Sequence, residues 1–198
     1  MTTKHLDLGC GPKPRNPYHA SEVYGVDINP SQDLPKERFV RANLALEAIP
    51  FPDNSFDSIS AFDFIEHIPR QIHSLDNHSS RLAFIELMNE IWRVLKPNGV
   101  FFALTPAYPN SSAFQDPTHV NIITDATHTY FCGEAPLGSM YGFTGKFTVK
   151  RAEWVVAKDS FDTTPSLAKS IRYWHRRLFK RSGLSHLVWE LEAVKSSD

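Results

Sequence analysis

A glycine turn after the first apolar run is the feature that most constrains the fold of this chain. Residues 4–8 form a short apolar run, and Gly9-Cys10-Gly11 follows directly. A second run, residues 23–28, carries the acid Asp27, 16 positions after Gly11. Glycines let the backbone turn and approach a ligand closely, and an acid at the end of the next strand suits a ribose diol. The pattern therefore predicts an α/β fold with its ligand at the carboxyl ends of the strands.

Further strands and one amphipathic helix complete the pattern. Apolar residues recur at three- and four-residue spacing from Leu82 to Leu95, which predicts a helix that ends at Pro97-Asn98-Gly99. This helix separates two strands and therefore indicates a right-handed parallel crossover. We expect an α/β, Rossmann-like, doubly wound fold with a mostly parallel seven-stranded sheet and an antiparallel C-terminal edge strand. The predicted strands cover residues 4–8, 23–28, 38–42, 56–62, 99–105, 146–157 and 186–195.

Size and charge indicate one domain over residues 1–198. The chain is 41% hydrophobic and carries 21 basic and 22 acidic side chains, so its net charge is −1 and no overall field attracts nucleic acid. Two cysteines cannot build a disulfide framework, and free thiols favour a cytoplasmic location. The sequence also predicts neither a signal peptide nor a membrane span.

Five motifs, taken together, resemble the class I S-adenosylmethionine-dependent methyltransferases, particularly the small ubiquinone/menaquinone-biosynthesis-like type. Besides the glycine turn and Gly25-Val26-Asp27, the resemblance includes residues 49–57, Glu66-His67-Ile68 and residues 93–99. It implies S-adenosyl-L-methionine as cofactor and methyl transfer as the reaction. The cofactor-binding residues that it implies are Asp7, Gly9, Gly11, Asp27, Ile28, Asn43, Leu44, Phe62 and Asp63.

By this resemblance, Asp7 and the two glycines hold the methionine end of the cofactor, and Asp27 binds the ribose hydroxyls. Ile28 lies against adenine, while Asn43-Leu44 stands where the family commonly has an acid near the adenine amine. The amide oxygen of Asn43 could serve instead. Phe62 and Asp63 form the next wall of the pocket. The short first crossover puts Lys13 or Arg15 within reach of the cofactor carboxylate.

Residues 106–145 are long for a connection and are predicted to form a lid or acceptor-binding insertion. They contain Gln115-Asp116-Pro117-Thr118-His119, which is similar to stretches in methyltransferases that modify polysaccharides and other small acceptors. His119 and Asp116 are the candidate catalytic residues, because a hydroxyl acceptor benefits from a base and histidine titrates near neutrality. The alternatives for both His119 and Asp116 are a substrate hydrogen bond or an ordinary structural role in the loop. No metal centre is predicted, because the spacing of Asp116, His119, Asp125 and His128 matches no familiar cage.

Residues 166–182 hold six basic side chains and no acid, in a helical pattern. This predicted basic helix is interpreted as a solvated face, a contact for an anionic acceptor or polynucleotide, or a peripheral membrane patch. Residues 61–64 lack the Asn/Asp-Pro-Pro-Tyr motif of methylases that act on base amino groups, which argues against nucleic acid as the acceptor. A homodimer stays an open alternative.

The main hypothesis from the sequence is methylation of a small-molecule or saccharide acceptor on an oxygen, with a nitrogen of the acceptor as the alternative. A non-catalytic cofactor-binding or scaffold subunit, docked to a partner through its basic helix, is the alternative from another class. A different nucleotide-binding α/β enzyme is a third hypothesis, and it is disfavoured because Pro12-Lys13-Pro14 stands where the third glycine of a dinucleotide site would be.

Overall fold

The computed structural model describes residues 2–74, 78–159, 167–168, 171, 174 and 184–195. Within them, the chain forms a large mixed sheet, a small hairpin, one long helix and several short helical turns. The strands are β1 Lys4–Leu8, β2 Glu22–Asp27, β3 Phe39–Arg41, β4 Phe56–Phe62, β5 Ile72–Ser74, β6 Ser79–Arg81, β7 Leu95–Pro106, β8 Phe147–Val155 and β9 His186–Ala193. The α-helices are α1 Ala83–Val94 and α2 Ser112–Gln115.

The main sheet has seven strands in the order β3-β2-β1-β4-β7-β9-β8. The first five in that order are parallel, whereas β9 runs antiparallel to both β7 and β8. The expected α/β Rossmann-like sheet with an antiparallel edge is thus confirmed. The prediction that the C-terminal strand forms this edge is wrong, because β9 pairs with β7 on one side and with β8 on the other, so β8 is the edge strand.

Several element boundaries differ from the prediction. Strand β7 begins at Leu95, four residues before the predicted start, because Leu95 already pairs with Phe56 of β4, ahead of a register shift in this strand pair. The hairpin β5–β6 was not predicted, since three-residue strands are too short to show an alternating pattern. Its second strand includes Ser79 and Ser80, so α1 begins at Ala83 rather than directly after these serines.

The apolar core lies on one face of the sheet, beneath α1. Side chains alternate between the two faces of a strand, so every second residue of the central strands enters this core. The neighbouring residues project to the opposite face, where a smaller apolar cluster forms. The main cluster includes Leu6, Leu8, Ile59, Ala61, Phe101, Ala103, Phe84, Leu87, Met88 and Ile91. The smaller cluster consists of Phe62, Phe102, Leu104, Val155 and Val188.

The predicted insertion 106–145 folds against the core for part of its length. It contains α2 and two 3-10 helices, Thr127–Phe131 and Leu137–Tyr141. The ring of Phe131 lies 5.6 Å from that of Phe84 on α1 and 5.1 Å from that of Phe143. These aromatic contacts attach the second half of the insertion to α1, whereas residues 112–120 lie at the carboxyl edge of the sheet beside β7.

The predicted basic helix 166–182 lies outside the described residues, apart from positions 167, 168, 171 and 174, which are helical. Across the part of the chain that the structure describes, no helix combines the length and apolarity that crossing a membrane requires.

Candidate functional site

The glycine turn at the end of β1 has left-handed backbone at both glycines. Gly9 and Gly11 have φ values of +63° and +56°, a region that favours glycine. The amide of Gly9 donates to the carbonyl of Val26 at 2.9 Å, which fixes the turn to β2. A Cβ on Gly9 would lie 2.3 Å from Cδ2 of Phe64, whereas one on Gly11 would meet no heavy atom within 4 Å. Gly9 is therefore a packing position, and Gly11 faces open space.

Asp27 lies directly beside this turn. Its Oδ2 accepts a hydrogen bond from the amide of Gly11 at 2.9 Å, and its Oδ1 accepts one from the amide of Asn29 at 2.7 Å. The side chain is partly exposed at the carboxyl end of β2. The structure thus brings Gly11 and Asp27 together as predicted, and the carboxylate also stabilises the turn.

Asp7 is fully buried on the second face of the sheet, beneath the turn. Its Oδ1 accepts a hydrogen bond from Ser60 Oγ at 2.5 Å, and its Oδ2 accepts one from the Arg15 amide at 2.8 Å. Burial raises the pKa of Asp7 to about 6, although these hydrogen bonds favour the carboxylate. The Arg15 guanidinium lies 4.8 Å from the Phe62 ring centroid, so Arg15 joins two of the predicted cofactor residues.

A chain of buried hydrogen bonds holds Asp7 in place. Nε2 of His5 lies 2.8 Å from Ser60 Oγ, and Nδ1 of His5 lies 2.7 Å from Ser58 Oγ. Because Ser60 donates its proton to Asp7, it accepts from His5 Nε2–H, and His5 Nδ1 in turn accepts from Ser58. Burial lowers the pKa of His5 to about 4, so the ring is neutral at neutral pH. Sequence reasoning missed this chain, although two polar residues at alternate positions of both β1 and β4 were a signal.

The remaining cofactor candidates have mixed positions. Ile28 is 54% exposed just after β2, whereas Leu44 is 6% exposed and its side chain belongs to the main apolar core. Asn43 is exposed, and its Oδ1 accepts a hydrogen bond from the amide of Ala45 at 3.1 Å. The amide oxygen of Asn43 therefore caps a local turn in this structure.

A polar cleft of about 470 Å³ lies at the carboxyl ends of β4 and β7. Asp63 has a left-handed φ of +47°, and its amide donates to the carbonyl of Leu104 at 2.8 Å. Its Oδ1 lies 3.2 Å from Nε2 of His186. The predicted residues Asp63, Asp116 and His119 converge in this cleft. Its lining consists of Asp63, Glu66, Pro106, Ser112, Gln115, Asp116, Pro117, His119 and His186.

Asp116 reaches the histidines of the cleft through Thr118. Oδ1 of Asp116 accepts hydrogen bonds from the amide and the hydroxyl of Thr118, at 2.8 and 2.6 Å, and these bonds lower the pKa of Asp116. Thr118 Oγ1 is also 3.0 Å from Nδ1 of His67. The rings of His67 and His119 lie 4.8 Å apart, and Nδ1 of His119 lies 3.2 Å from the carbonyl of Ala113.

Glu66 is the residue of the cleft that sequence reasoning placed least well. The motif Glu66-His67-Ile68 entered the sequence analysis only as part of the family resemblance, and its first two residues lie in the 3-10 helix Ile65–His67. The carboxyl group of Glu66 is buried in the wall of the cleft, where Oε2 accepts a hydrogen bond from Thr105 Oγ1 at 2.9 Å. Burial raises the pKa of Glu66 to about 8. Strongly perturbed groups of this kind cluster at functional sites.

Comparison with known proteins gives one matching family model, described as a methyltransferase domain, over residues 6–103. A curated relative, sterol 24-C-methyltransferase ERG6B of Gibberella zeae, is 30% identical over 132 residues. The alignment covers 57% of this chain and 31% of that protein, so it spans about a third of the relative's length.

Solved structures share the fold at low sequence identity. One similar chain comes from the complex between the Haloferax volcanii Trm112 methyltransferase activator and a methyltransferase. It aligns with a TM-score of 0.59 and 15% identity, covering 100% of this chain and 84% of that one. A SAM-dependent methyltransferase from Archaeoglobus fulgidus aligns with a TM-score of 0.55 and 14% identity, covering 97% of this chain and 86% of that one. These likenesses support the architecture described above.

Proposed function

Because the chain belongs to the class I S-adenosylmethionine-dependent methyltransferases and uses S-adenosyl-L-methionine as cofactor, we propose that its methyl acceptor is a hydroxyl group of a small molecule or saccharide. The acceptor would lie in the cleft beside His119 and Asp63. The ubiquinone/menaquinone-like subtype and the cytoplasmic location stay predictions from the sequence.

The residues around the glycine turn fit this cofactor. Gly11 leaves open space in front of the turn, and Asp27 keeps a partly exposed carboxylate beside it. A carboxylate can accept hydrogen bonds from a ribose diol, and the acidic groups at this edge favour a sulfonium cation. We propose the same pocket for Ile28, Asn43 and Phe62, with Asp7 acting from beneath the turn and Asp63 between this pocket and the acceptor cleft. Leu44, whose side chain lies in the main apolar core, would contribute through its backbone.

The acceptor side of the proposal depends on His119. A carbonyl oxygen only accepts hydrogen bonds, so the contact with Ala113 means that Nδ1 of His119 carries the proton. Its Nε2 then has a free lone pair, which can remove the acceptor's hydroxyl proton. S-adenosylmethionine, held by the glycine turn and Asp27, would supply a methyl group on sulfur to the deprotonated acceptor oxygen, and the electron pair of the broken S–CH₃ bond would stay on sulfur. Residues 106–145 would form the acceptor-binding wall that carries His119.

One observation carries this proposal: the cleft with its histidine adjoins the glycine turn. Phe64 packs against Gly9, and its neighbour Asp63 lines the cleft, so the two sites are joined by adjacent residues after β4. Methyl transfer requires that donor carbon and acceptor oxygen are held about 3 Å apart and aligned, and adjoining sites permit this.

The first experiment is calorimetric titration with S-adenosylmethionine and S-adenosylhomocysteine. Binding of both is expected, and binding of neither would contradict the cofactor pocket. An acceptor screen with mass detection follows, and His119→Ala is then compared with His73→Ala, a variant of an exposed histidine on β5. We expect kcat to fall by roughly 10²-fold in His119→Ala alone. A change confined to KM would identify His119 as a binding residue, and unchanged kinetics would remove it from the site.

A scaffold role is the second candidate. Leu167, Ile171 and Trp174 are 85%, 65% and 62% exposed at helical spacing, which favours a docking surface for a partner within the predicted basic helix. One structural neighbour comes from a complex with an activator protein. Cofactor binding without turnover on any acceptor, together with co-purification of a partner that Trp174→Ala abolishes, would support this role. Membrane contact and a homodimer are tested by vesicle flotation and by light scattering.

A further inference from the structure

Three metal-binding side chains meet in the wall of the acceptor cleft. Glu66 and His67 come from the 3-10 helix after β4, and His119 comes from the segment after β7. One donor atom from each residue lies within 4.8 Å of the other two. The sequence analysis considered a different set around His119, because nothing in the sequence brings residue 66 next to residue 119.

The carboxyl group of Glu66 has one buried oxygen without a hydrogen-bond partner among the described residues, which indicates that a ligand binds there. Glu66 is only 1% exposed, and while Oε2 accepts a hydrogen bond from Thr105, Oε1 has no hydrogen-bond partner among the described residues. Buried polar atoms in proteins almost always have a partner. A cation at this position would satisfy Oε1.

Both imidazole rings have Nδ1 engaged in a hydrogen bond, which leaves Nε2 available for a metal ion. Thr118 donates its hydroxyl proton to Asp116, so it accepts from His67, and Nδ1 of His67 carries a proton. Nδ1 of His119 donates to the carbonyl of Ala113. Each ring therefore has a lone pair on Nε2. Metal-binding histidines typically donate their other ring N–H to a carbonyl, a carboxylate or a group linked to one, as these two do.

We propose that Glu66, His67 and His119 bind one divalent metal ion, Zn²⁺ or an ion with similar ligand preference, through one carboxylate oxygen and two imidazole nitrogens. Two histidines and one glutamate are a known ligand set for catalytic zinc, which keeps a coordination position open. That position would face the cleft, because Glu66 and His119 both line it. This proposal revises the expectation that no metal is bound.

A metal ion here deepens the proposed function, on which this step rests. In the metal-bound protein His119 is a ligand, and the cation replaces it as the group that activates the acceptor. A bound hydroxyl has a lowered pKa and loses its proton to solvent, so the oxygen lone pair is available to the methyl carbon.

The test uses the full chain without an affinity tag, treated with a chelator and titrated with Zn²⁺ by calorimetry. We expect one ion per chain, with affinity reduced at least about 10-fold in Glu66→Gln, His67→Ala and His119→Ala. Thr118→Val keeps the size of the side chain but removes the acceptor for His67, and it should weaken binding by about 10-fold. His73→Ala, the matched surface histidine, should bind like the unchanged protein.

S-adenosylhomocysteine binding, measured on every variant, shows whether each is folded and separates this proposal from the cofactor site. Zinc binding below one equivalent in a protein that binds S-adenosylhomocysteine would overturn the metal site and leave the proposed function intact. Equal zinc affinity in Glu66→Gln and the unchanged protein would also overturn it, since the two side chains have nearly the same shape. Zinc binding without S-adenosylhomocysteine binding would support the metal site and contradict the cofactor pocket.

Discussion

Replacing Gly11 with alanine should separate cofactor binding from folding. Gly11 has a φ of +56°, and an added Cβ would meet no heavy atom within 4 Å. The cost to the folded protein is then left-handed backbone strain of about 1–2 kcal/mol. For a chain of this length, that lowers Tm by about 2–8 °C. The same methyl group enters the space in which we place the methionine end of the cofactor, so the affinity for S-adenosylhomocysteine should fall at least about 10-fold, or ~1.4 kcal/mol.

Gly9→Ala provides the contrast, because its cost falls on folding. The backbone strain is similar at a φ of +63°, but the new Cβ would lie 2.3 Å from Cδ2 of Phe64. The Phe64 ring must therefore move, and overpacking of this kind costs about 1–3 kcal/mol more. The free energy of unfolding should thus fall by about 2–5 kcal/mol, which exceeds the loss in Gly11→Ala.

Thermal unfolding and calorimetric titration with S-adenosylhomocysteine measure the two effects. Gly133→Ala is the matched control, because Gly133 also has a positive φ, of +94°, and open space for a Cβ. It should lose stability yet keep the affinity of the unchanged protein. If Gly11→Ala binds S-adenosylhomocysteine as tightly as this control, the glycine turn does not hold the cofactor and the reasoning is refuted.

Three further predictions concern Asp27, Asp7 and the ion pair between Lys96 and Asp57. Asp27→Ala should weaken S-adenosylhomocysteine binding by about 1–3 kcal/mol in calorimetry, and equal affinity would contradict the ribose contact. Asp7 binds its proton more tightly in the folded protein, where its pKa is about 6 against 3.8 in the unfolded chain, so its contribution to stability rises as the pH falls. The unfolding free energy of the unchanged protein and of Asp7→Asn is measured by denaturation at pH 7 and at pH 5. Relative to Asp7→Asn, the unchanged protein should gain about 1.3 kcal/mol of stability at pH 5, and parallel pH profiles of the two proteins would exclude this. The ion pair of Lys96 with Asp57 is 2.8 Å long but over a third exposed, so Lys96→Ala should cost under about 1 kcal/mol in denaturant titration. A larger loss would mean that Lys96 does more than pair with Asp57.

Local sequence pattern was enough to predict the sheet and the helix beneath it. β1 and β4 have the predicted bounds, and α1 follows the spacing of its apolar residues. The nearness of Gly11 and Asp27 was also predictable, because adjacent parallel strands end at the same edge. The meeting of Glu66 with His119 was not predictable. It depends on how the loop after β7 folds back, and periodicity gives no information on that.

The position of β9 also determines when the sheet can be completed during protein synthesis. β7 ends at Pro106, yet its antiparallel partner begins at His186, and β9 is the strand on which β8 pairs. While the ribosome makes residues 107–185, the open side of β7 presents unpaired backbone groups beside Phe101 and Phe102. Exposed strand edges of this kind promote aggregation. A nascent chain or a fragment that stops before residue 186 should therefore depend on chaperones, however complete its cofactor half already is.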